Sequence, residues 1–212
     1  MKPILFNTEM VKALLDGRKT VTRRVIKPQP ELFGKALTYK GGIYAPKGLA
    51  REAPFKLGDV LWVRETWAKT SDMFGEVPRY LYRADFSEKQ LNHENDGEYE
   101  IDSDFPDCIM WKPSIHMPKE AARIFLKVTN VKVERLQDMY VDDAIKEGAW
   151  GRGIPSVPFS LLWKEHPTAS CIAIASFANL WDSTIKKQDL DTYGWDANPW
   201  VWVIEFERIE KE

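Results

Sequence analysis

The residues best suited to chemistry lie in one short basic segment near the start of the chain. Residues 17–27 read GRKTVTRRVIK and contain five basic side chains, with no acidic residue between Asp16 and Glu31. Arginine guanidinium groups form forked hydrogen bonds that match the geometry of phosphate oxygens. The segment therefore indicates a phosphate or nucleotide site, and a solvated edge strand that resists aggregation through its charge is the alternative interpretation.

Two flanking elements must position this segment. Residues 3–6 are predicted to form a strand, after which Asn7 or Thr8 can cap a helix. That helix presents four apolar side chains on one face, namely Met10, Val11, Leu14 and Leu15. Gly17 stands where a helix C-cap glycine belongs, and a strand over 19–23 is predicted to follow it. Because strand side chains alternate, the basic charge would appear on both faces of that strand.

The rest of the chain alternates between strand and helix patterns. Strands are predicted at 60–64, 80–83, 121–136 and 200–208, and helices at 138–148 and 168–182. Within the long strand the apolar alternation changes phase at Thr129-Asn130, which predicts a bulge or a bend into a second strand. Residues 26–56 are rich in Pro and Gly and are predicted to form a long irregular connection, with a hairpin at Gly41-Gly42 as an option.

This pattern predicts a single α+β domain over residues 1–212. Strands outnumber helices and recur at both ends of the chain, which favours a curled sheet or small β-barrel with flanking helices and long loop insertions. One insertion is predicted at 85–107, where nine acidic side chains stand against Lys89 alone. A loop-rich insertion is predicted at 150–167. The acidic stretch is interpreted as a solvated loop.

Composition excludes several classes of protein. The 212 residues hold no run of about 18 apolar residues and no apolar N-terminal region, so no membrane association and no signal peptide are predicted. Cys108, Cys171 and three scattered histidines lack metal-ligand spacing, which predicts no metal, no other cofactor and reduced thiols in a cytoplasmic protein. Since the net charge is −2, any nucleic-acid contact must come from a local patch.

The basic segment also carries a resemblance to a known family. Gly17, Lys19 and Arg24 have the spacing Gly-x-Lys-x-x-x-x-Arg, which is similar to the signature of the ASCH domain family, a relative of the PUA RNA-binding domains. Three further segments resemble later parts of that family, in the same order along the chain: residues 56–67, 133–148 and 199–206. The chain resembles the longer bacterial and prophage-borne members of the family.

The resemblance implies a function and a set of site residues. ASCH domains are thought to bind RNA or nucleotides in a cleft between a β-barrel and its helices. A small bacterial member is an amidohydrolase that removes the acetyl group of N(4)-acetylcytidine with a Lys, a Thr and a Glu. The matching positions here are Lys19, Thr22 and Glu147, with Glu134 and Asp142 as alternative carboxylates. The implied partner is therefore RNA, a nucleoside or a nucleotide.

The implied chemistry is consistent with these residue types. A threonine hydroxyl becomes a useful nucleophile when a base removes its proton, and a neutral lysine can be that base. Glu147 would orient Lys19 or pass a proton to the leaving amine, and Arg24 or a backbone N–H would stabilise an oxyanion. Residues three apart on a straight strand face opposite ways. Lys19 and Thr22 therefore meet only if Lys19 lies on the turn after Gly17 or the strand bulges.

Eight residues are expected to contact the nucleotide or RNA. Trp67 is either a platform for a base or a core aromatic, and Ser114 lies in a loop between prolines. The expected set is Gly17, Arg23, Arg24, Arg64, Glu65, Trp67, Ser114 and Arg123. Three functions remain open: an amidohydrolase of acylated nucleosides, a domain that binds RNA or a modified nucleotide without chemistry, and a ribonuclease. The family signature is shared by binders and enzymes, so it does not decide among them.

Overall fold

The computed structural model of the chain describes residues 1–71, 78–86, 110–149 and 169–210. The predicted acidic insertion falls outside these residues from residue 87 onward, as does the predicted insertion at 150–167.

Ten strands and five α-helices form within the described residues. The strands are β1 (Lys2–Leu5), β2 (Val21–Val25), β3 (Glu31–Phe33), β4 (Ala36–Tyr39), β5 (Gly42–Tyr44), β6 (Val60–Arg64), β7 (Trp67–Ser71), β8 (Pro78–Tyr82), β9 (Phe125–Arg135) and β10 (Trp200–Ile209). The helices are α1 (Thr8–Leu15), α2 (Pro46–Leu49), α3 (Val141–Lys146), α4 (Ala169–Thr184) and α5 (Leu190–Tyr193). The protein therefore belongs to the α+β class, as predicted.

The main sheet has five strands in the order β1-β6-β9-β10-β2. β1 runs parallel to β6, and the other three pairs are antiparallel. The β9–β10 pairing shifts its register between Glu205 and Phe206, which face Asn130 and Val128, so Thr129 is the extra residue of a bulge. The predicted bulge at Thr129-Asn130 is confirmed.

The closing strand β10 separates two hydrophobic clusters. Trp202, Ile204 and Phe206 point into a cluster that α1 covers, and Val201 and Val203 point into a second cluster under α3 and α4. This alternation follows from the period of two along a strand and was expected from the sequence. Because β2 pairs with β10 in register, its side chains divide between the same two faces.

The main sheet is not closed into a barrel by strand pairing among the described residues. β1 and β2 are its two edges, and no backbone ladder joins them. One side chain bridges the gap, since the Arg24 guanidinium on β2 donates a hydrogen bond of 2.8 Å to the carbonyl of Leu5 at the end of β1. The small-barrel alternative is therefore not supported by the strand pairing of the described residues.

The prediction of an irregular connection over residues 26–56 is wrong for residues 31–44, whereas the hairpin offered at Gly41-Gly42 forms with its turn one residue earlier. β3, β4 and β5 form an antiparallel three-stranded sheet in this region, and its second turn lies at Lys40-Gly41. Leu37 and Tyr39 from the middle strand are buried in the cluster that α1 covers. Strands of three or four residues are too short to show a periodic pattern, so the Pro and Gly content dominated the prediction.

Capping residues explain where the helix nearest the basic segment begins and ends. Asn7 accepts a hydrogen bond from the backbone N–H of Met10, and Gly17 follows the helix with φ of +72°. The prediction of α1 between these two caps is confirmed. The longest described helix, α4, has 16 residues. No helix in the described part of the chain is long and apolar enough to cross a membrane.

Candidate functional site

The end of α1 places Lys19 beside the sheet. The backbone N–H of Gly17 bonds the carbonyl of Leu14, and that of Arg18 bonds the carbonyl of Ala13, which is a Schellman motif. The N–H of Lys19 bonds Ala13 as well. Lys19 therefore lies on the turn before β2, not on the strand as predicted. This is one of the two arrangements that allow it to approach the same region as Thr22.

The end of α3 brings Glu147 to the same place. Glu147 is the C-cap of α3, and Gly148 follows it with φ of +81°. A Cβ atom at Gly148 would lie 2.6 Å from the Cβ of Ala13 and 3.3 Å from that of Lys19. The C-terminal ends of α1 and α3 thus touch at this glycine, and any larger residue would push them apart.

The Lys19 ammonium is completely surrounded by protein acceptors. Its Nζ lies 2.7 Å from Oε2 of Glu147, 2.8 Å from the Glu147 carbonyl and 2.8 Å from the Val21 carbonyl. The Lys19 side chain is 0 % exposed and that of Glu147 is 4 % exposed. A protonated lysine has three donors, and all three are used here. Val21 lies on the edge strand β2, so Lys19 also satisfies a carbonyl at the sheet edge.

Opposing effects act on the protonation of Lys19. Burial lowers the pKa of Lys19 below its ordinary value, the carboxylate of Glu147 raises it, and the guanidinium groups of Arg24 and Arg23 lower it further. The net direction is downward. A buried lysine with a lowered pKa that directly contacts a carboxylate can hand its proton to that carboxylate.

Arg23 belongs to this buried cluster and does not face a ligand, contrary to the prediction. Its side chain is 0 % exposed, with Nη1 at 3.2 Å from Oε1 of Glu147. Nη2 lies 3.5 Å from Asp143 and 3.7 Å from Glu134. Glu134, one of the alternative carboxylates, therefore pairs with Arg23, and the carboxylate at Lys19 is Glu147. The other alternative, Asp142, is exposed in the first turn of α3.

Thr22 and Arg24 lie on the opposite face of β2 from Arg23. This follows from strand alternation and from their pairing with Ile204 and Trp202, which point into the cluster that α1 covers. Phe6 belongs to that cluster and contacts two cations: its ring centroid lies 5.4 Å from Lys19 Nζ and 5.5 Å from Arg24 Cζ. Lys19 and Arg24 therefore meet on one aromatic ring, on the face that also carries Thr22.

A cleft of about 320 Å³ lies beside Phe6 and Arg24. Its described lining comes from the β1–α1 junction, β2, the segment after β6, the loop at Pro113-Ser114 and the end of α4. The lining residues are Leu5, Phe6, Asn7, Thr8, Met10, Arg24, Thr66, Pro113, Ser114 and Thr184. Arg24 is the one charged side chain among them. Phe6 and Arg24 connect this cleft to the buried Lys19–Glu147 pair.

Glu65 and Arg123 form a separate ion pair. Arg123 donates to both carboxylate oxygens of Glu65 at 2.9 Å and to both oxygens of Asp85 at 2.8 Å. Its guanidinium also lies 3.9 Å from the ring of Tyr82. All three guanidinium nitrogens of Arg123 donate hydrogen bonds. They link the residues just before β9 to Glu65 after β6 and to Asp85 after β8. Glu65 and Arg123 are not among the described cleft residues.

The side chains of Trp67 and Arg64 pack against other parts of the protein. Trp67 is 5 % exposed in a third hydrophobic cluster, so it presents no free face for a base, and the core interpretation is the correct one. Arg64 donates to the carbonyl of Met117 at 3.1 Å and packs on the ring of Trp62. Neither is among the described residues that line the cleft.

Of the predicted site residues, the structure brings together Lys19, Glu147, Arg23 and Arg24, and it places Ser114 with Arg24 on the cleft. Gly17 shapes the turn and has no side chain to offer. The sequence reasoning missed Phe6, Thr66 and Thr184. Phe6 has a local signal, since it directly follows the first strand, but no local pattern marks the two threonines.

Comparison with known proteins found no match to this chain among protein-family models, curated proteins or solved structures. The geometry of the Lys19–Glu147 pair and its cleft is therefore the basis on which a function is assigned.

Proposed function

We propose that the cleft binds a nucleoside or nucleotide and that Lys19, Thr22 and Glu147 hydrolyse an amide-linked acyl group on its base. N(4)-acetylcytidine is the reference substrate. The protein would then be a PUA-like member of the ASCH family. The resemblance in sequence supports this proposal, as does the location of its signature: Gly17 ends a helix, Lys19 meets a carboxylate, and Arg24 lines the cleft.

The single observation that carries the proposal is the contact of 2.7 Å between Lys19 Nζ and Glu147 Oε2 in a site closed to water. A buried lysine and carboxylate in direct contact can exchange one proton at little cost, because the neutral pair avoids the charge burial of the ionic pair. The exchange yields an amine that accepts a proton and a carboxylic acid that donates one. Amide hydrolysis requires both groups.

The first half of the reaction transfers the acyl group to Thr22. The Lys19 ammonium gives a proton to Glu147, and the resulting amine takes the proton of the Thr22 hydroxyl as Oγ1 attacks the acyl carbonyl carbon. The carbon–nitrogen bond then breaks, and Glu147 gives its proton to the departing amino group. The products are an acyl ester on Thr22 and the free base, with Lys19 and Glu147 back in their ionic forms.

The second half of the reaction hydrolyses the ester and regenerates the free hydroxyl of Thr22. Lys19 again passes its proton to Glu147 and removes a proton from a water molecule that attacks the ester carbonyl. The ester bond breaks, Glu147 protonates Oγ1 of Thr22, and the carboxylic acid leaves. Arg24 lies on the same strand face as Thr22 and is the guanidinium proposed to stabilise an oxyanion formed there.

The second candidate function is binding without chemistry, and one observation favours it. Thr22 is 2 % exposed, and the Lys19 ammonium has used its three donors within the protein. Turnover therefore requires Phe6 and Arg24 to move so that a substrate in the cleft can reach Thr22, whereas binding in the cleft does not. The ribonuclease alternative has less support, because Lys19 has no donor left to stabilise a phosphorane and Arg23 is buried among carboxylates, which leaves Arg24 as the arginine of this strand that lines the cleft.

Turnover of acylated nucleosides tests the proposal. The wild-type protein is incubated with N(4)-acetylcytidine and other N-acylated nucleosides, and release of the free base or nucleoside is followed by chromatography. Lys19→Met and Glu147→Gln should abolish release, since each removes one partner of the proton exchange. If the wild type releases nothing from any member of the panel while it binds cytidine, the hydrolytic proposal is wrong and the binding function is supported.

A further inference from the structure

The described lining of the cleft has an unusual charge pattern. Arg24 is accompanied by five neutral hydrogen-bonding side chains, and no carboxylate is present among the described lining residues. The five are Asn7, Thr8, Thr66, Ser114 and Thr184. A site of this kind attracts an anion, because nothing in the described lining neutralises the single positive charge.

Arg24 is held in place from two sides. Its Nη2 donates 2.8 Å to the Leu5 carbonyl, and its guanidinium packs against the ring of Phe6 with Cζ 5.5 Å from the ring centroid. A guanidinium has five N–H donors, and the bond to Leu5 uses one of them. The remaining donors are fixed in direction before any ligand arrives, which reduces the entropy lost on binding.

We propose that the cleft takes a nucleotide whose phosphate binds Arg24, and that it therefore prefers a nucleoside monophosphate to the free nucleoside. This inference rests on the proposed nucleoside site and adds the phosphate to it. A single guanidinium can form its forked hydrogen bonds with one phosphate group at a time, so a second and third phosphate add little affinity. The phosphate can come from a mononucleotide or from an RNA strand, and both present the same oxygens to Arg24.

The rest of the cleft fits the remainder of such a ligand. Its volume of about 320 Å³ lies near the lower end of small-molecule sites, which span roughly 300–1,000 Å³ and suit one nucleotide better than several. Leu5, Phe6, Met10 and Pro113 supply apolar surface for a base. The Oδ1 atom of Asn7 is occupied by the backbone N–H of Met10, which leaves its amide N–H groups for a ligand.

Calorimetric binding of four ligands tests the inference. Cytidine, cytidine monophosphate, cytidine triphosphate and a cytidine dinucleotide are titrated into the full chain. The monophosphate should bind about tenfold more tightly than cytidine, with a further gain for the triphosphate below about threefold. A dinucleotide that binds more tightly than the monophosphate identifies an RNA strand as the source of the phosphate, and the reverse order identifies the mononucleotide.

Substitution of Arg24 separates this inference from the proposed function. Arg24→Gln keeps an N–H donor for Leu5 and should bind cytidine and its monophosphate equally. Arg24→Lys keeps the positive charge but loses the forked pair of N–H donors, so it should retain part of the preference for the monophosphate over cytidine. Arg208→Gln, an exposed arginine on β10, is the matched control and should retain all of it.

Equal affinity of the wild type for cytidine and its monophosphate overturns the phosphate inference and leaves the nucleoside site intact. The same holds if Arg24→Gln keeps the preference. Absence of binding to all four ligands overturns the inference and the proposed function together.

Discussion

The Nζ of Lys19 and the Oε2 of Glu147 lie 2.7 Å apart although 128 residues separate them in the chain. Lys19 directly follows the Schellman motif that ends α1, and Glu147 is the C-cap within the Schellman motif that ends α3. The two helix ends meet at Gly148. The ion pair lies over the edge strand β2, where Lys19 also binds the carbonyl of Val21. The same lysine side chain therefore binds a carbonyl of the edge strand and forms the proposed reactive pair.

Removal of the Glu147 carboxylate should destabilise the protein strongly. Glu147→Ala leaves the buried cations of Lys19 and Arg23 without their closest anion, and breaking a buried ion pair on one side costs about 3–5 kcal/mol. Urea denaturation measures the free energy of unfolding. Asp142→Ala, an exposed carboxylate on α3, is the control and should change it by about 0.5 kcal/mol or less. Equal effects of the two substitutions would show that the buried pair contributes nothing to stability.

The two glycines that follow α1 and α3 should differ in their tolerance of alanine. A Cβ atom at position 17 would have no neighbour within 4 Å. Gly17→Ala should therefore lower the free energy of unfolding only by the strain of a left-handed alanine, about 1–2 kcal/mol. Gly148→Ala carries that cost and also places its Cβ 2.6 Å from the Cβ of Ala13, which adds about 1–3 kcal/mol of overpacking. Thermal and urea unfolding of both variants measure the difference. A Gly148 variant as stable as the Gly17 variant would contradict the close contact of the two helix ends.

Lys19 should make the free energy of unfolding increase with pH on the alkaline side. Burial, the largest effect, lowers its pKa in the folded protein below the ordinary value of 10.5. Between the two pKa values the unfolded chain binds the proton and the folded chain does not, so stability rises as pH rises through that window. Below the folded pKa the cost of burying the ammonium is present in full. Lys19→Met should remove this slope.

The measurement is a series of urea denaturation curves from neutral pH to about pH 10 for wild type and Lys19→Met. The difference in the free energy of unfolding should grow in favour of the wild type as pH rises. A difference that stays constant with pH, or falls, would show that the pKa of Lys19 is not lowered in the folded protein.

Arg123 should stabilise the folded protein mainly through its ion pair with Glu65. Arg123→Gln leaves the buried Glu65 carboxylate without its forked partner and should cost about 3–5 kcal/mol. Asp85→Asn removes the other carboxylate that Arg123 binds, but that side chain is 45 % exposed and should cost about 1 kcal/mol or less. The double variant Arg123→Gln, Glu65→Gln should recover part of the loss. A double variant less stable than the sum of its single variants would argue against this pairing.

Local signals in the sequence were sufficient for several parts of the fold. Asn7 and Gly17 bound α1 as capping preferences predict, the alternation of β10 assigns its two faces, and the phase change near Thr129 marks the bulge. Each of these features depends on a few neighbouring residues. The short strands over 31–44 were missed because no periodic pattern develops within three or four residues.

The site was only partly predictable for a different reason. Arg23 and Arg24 are adjacent and chemically identical, yet the first is buried among carboxylates and the second lines the cleft. Alternation along β2 predicts that they face opposite ways, but not which face leads to solvent. That depends on where α1 and α4 pack. Thr184 reaches the cleft only through the tertiary fold, which no local pattern encodes.

The most direct test of the central claim compares two threonines on the same segment. Thr22→Val removes the proposed nucleophile and keeps its shape, while Thr20→Val makes the same change at an exposed position two residues earlier. Release of cytidine from N(4)-acetylcytidine is measured for both and for wild type, with the folded state checked by circular dichroism. We predict that Thr20→Val retains the wild-type rate and that Thr22→Val loses it by at least about a thousandfold. Wild-type turnover that survives in Thr22→Val would contradict the assignment of Thr22 as the nucleophile and with it the proposed mechanism.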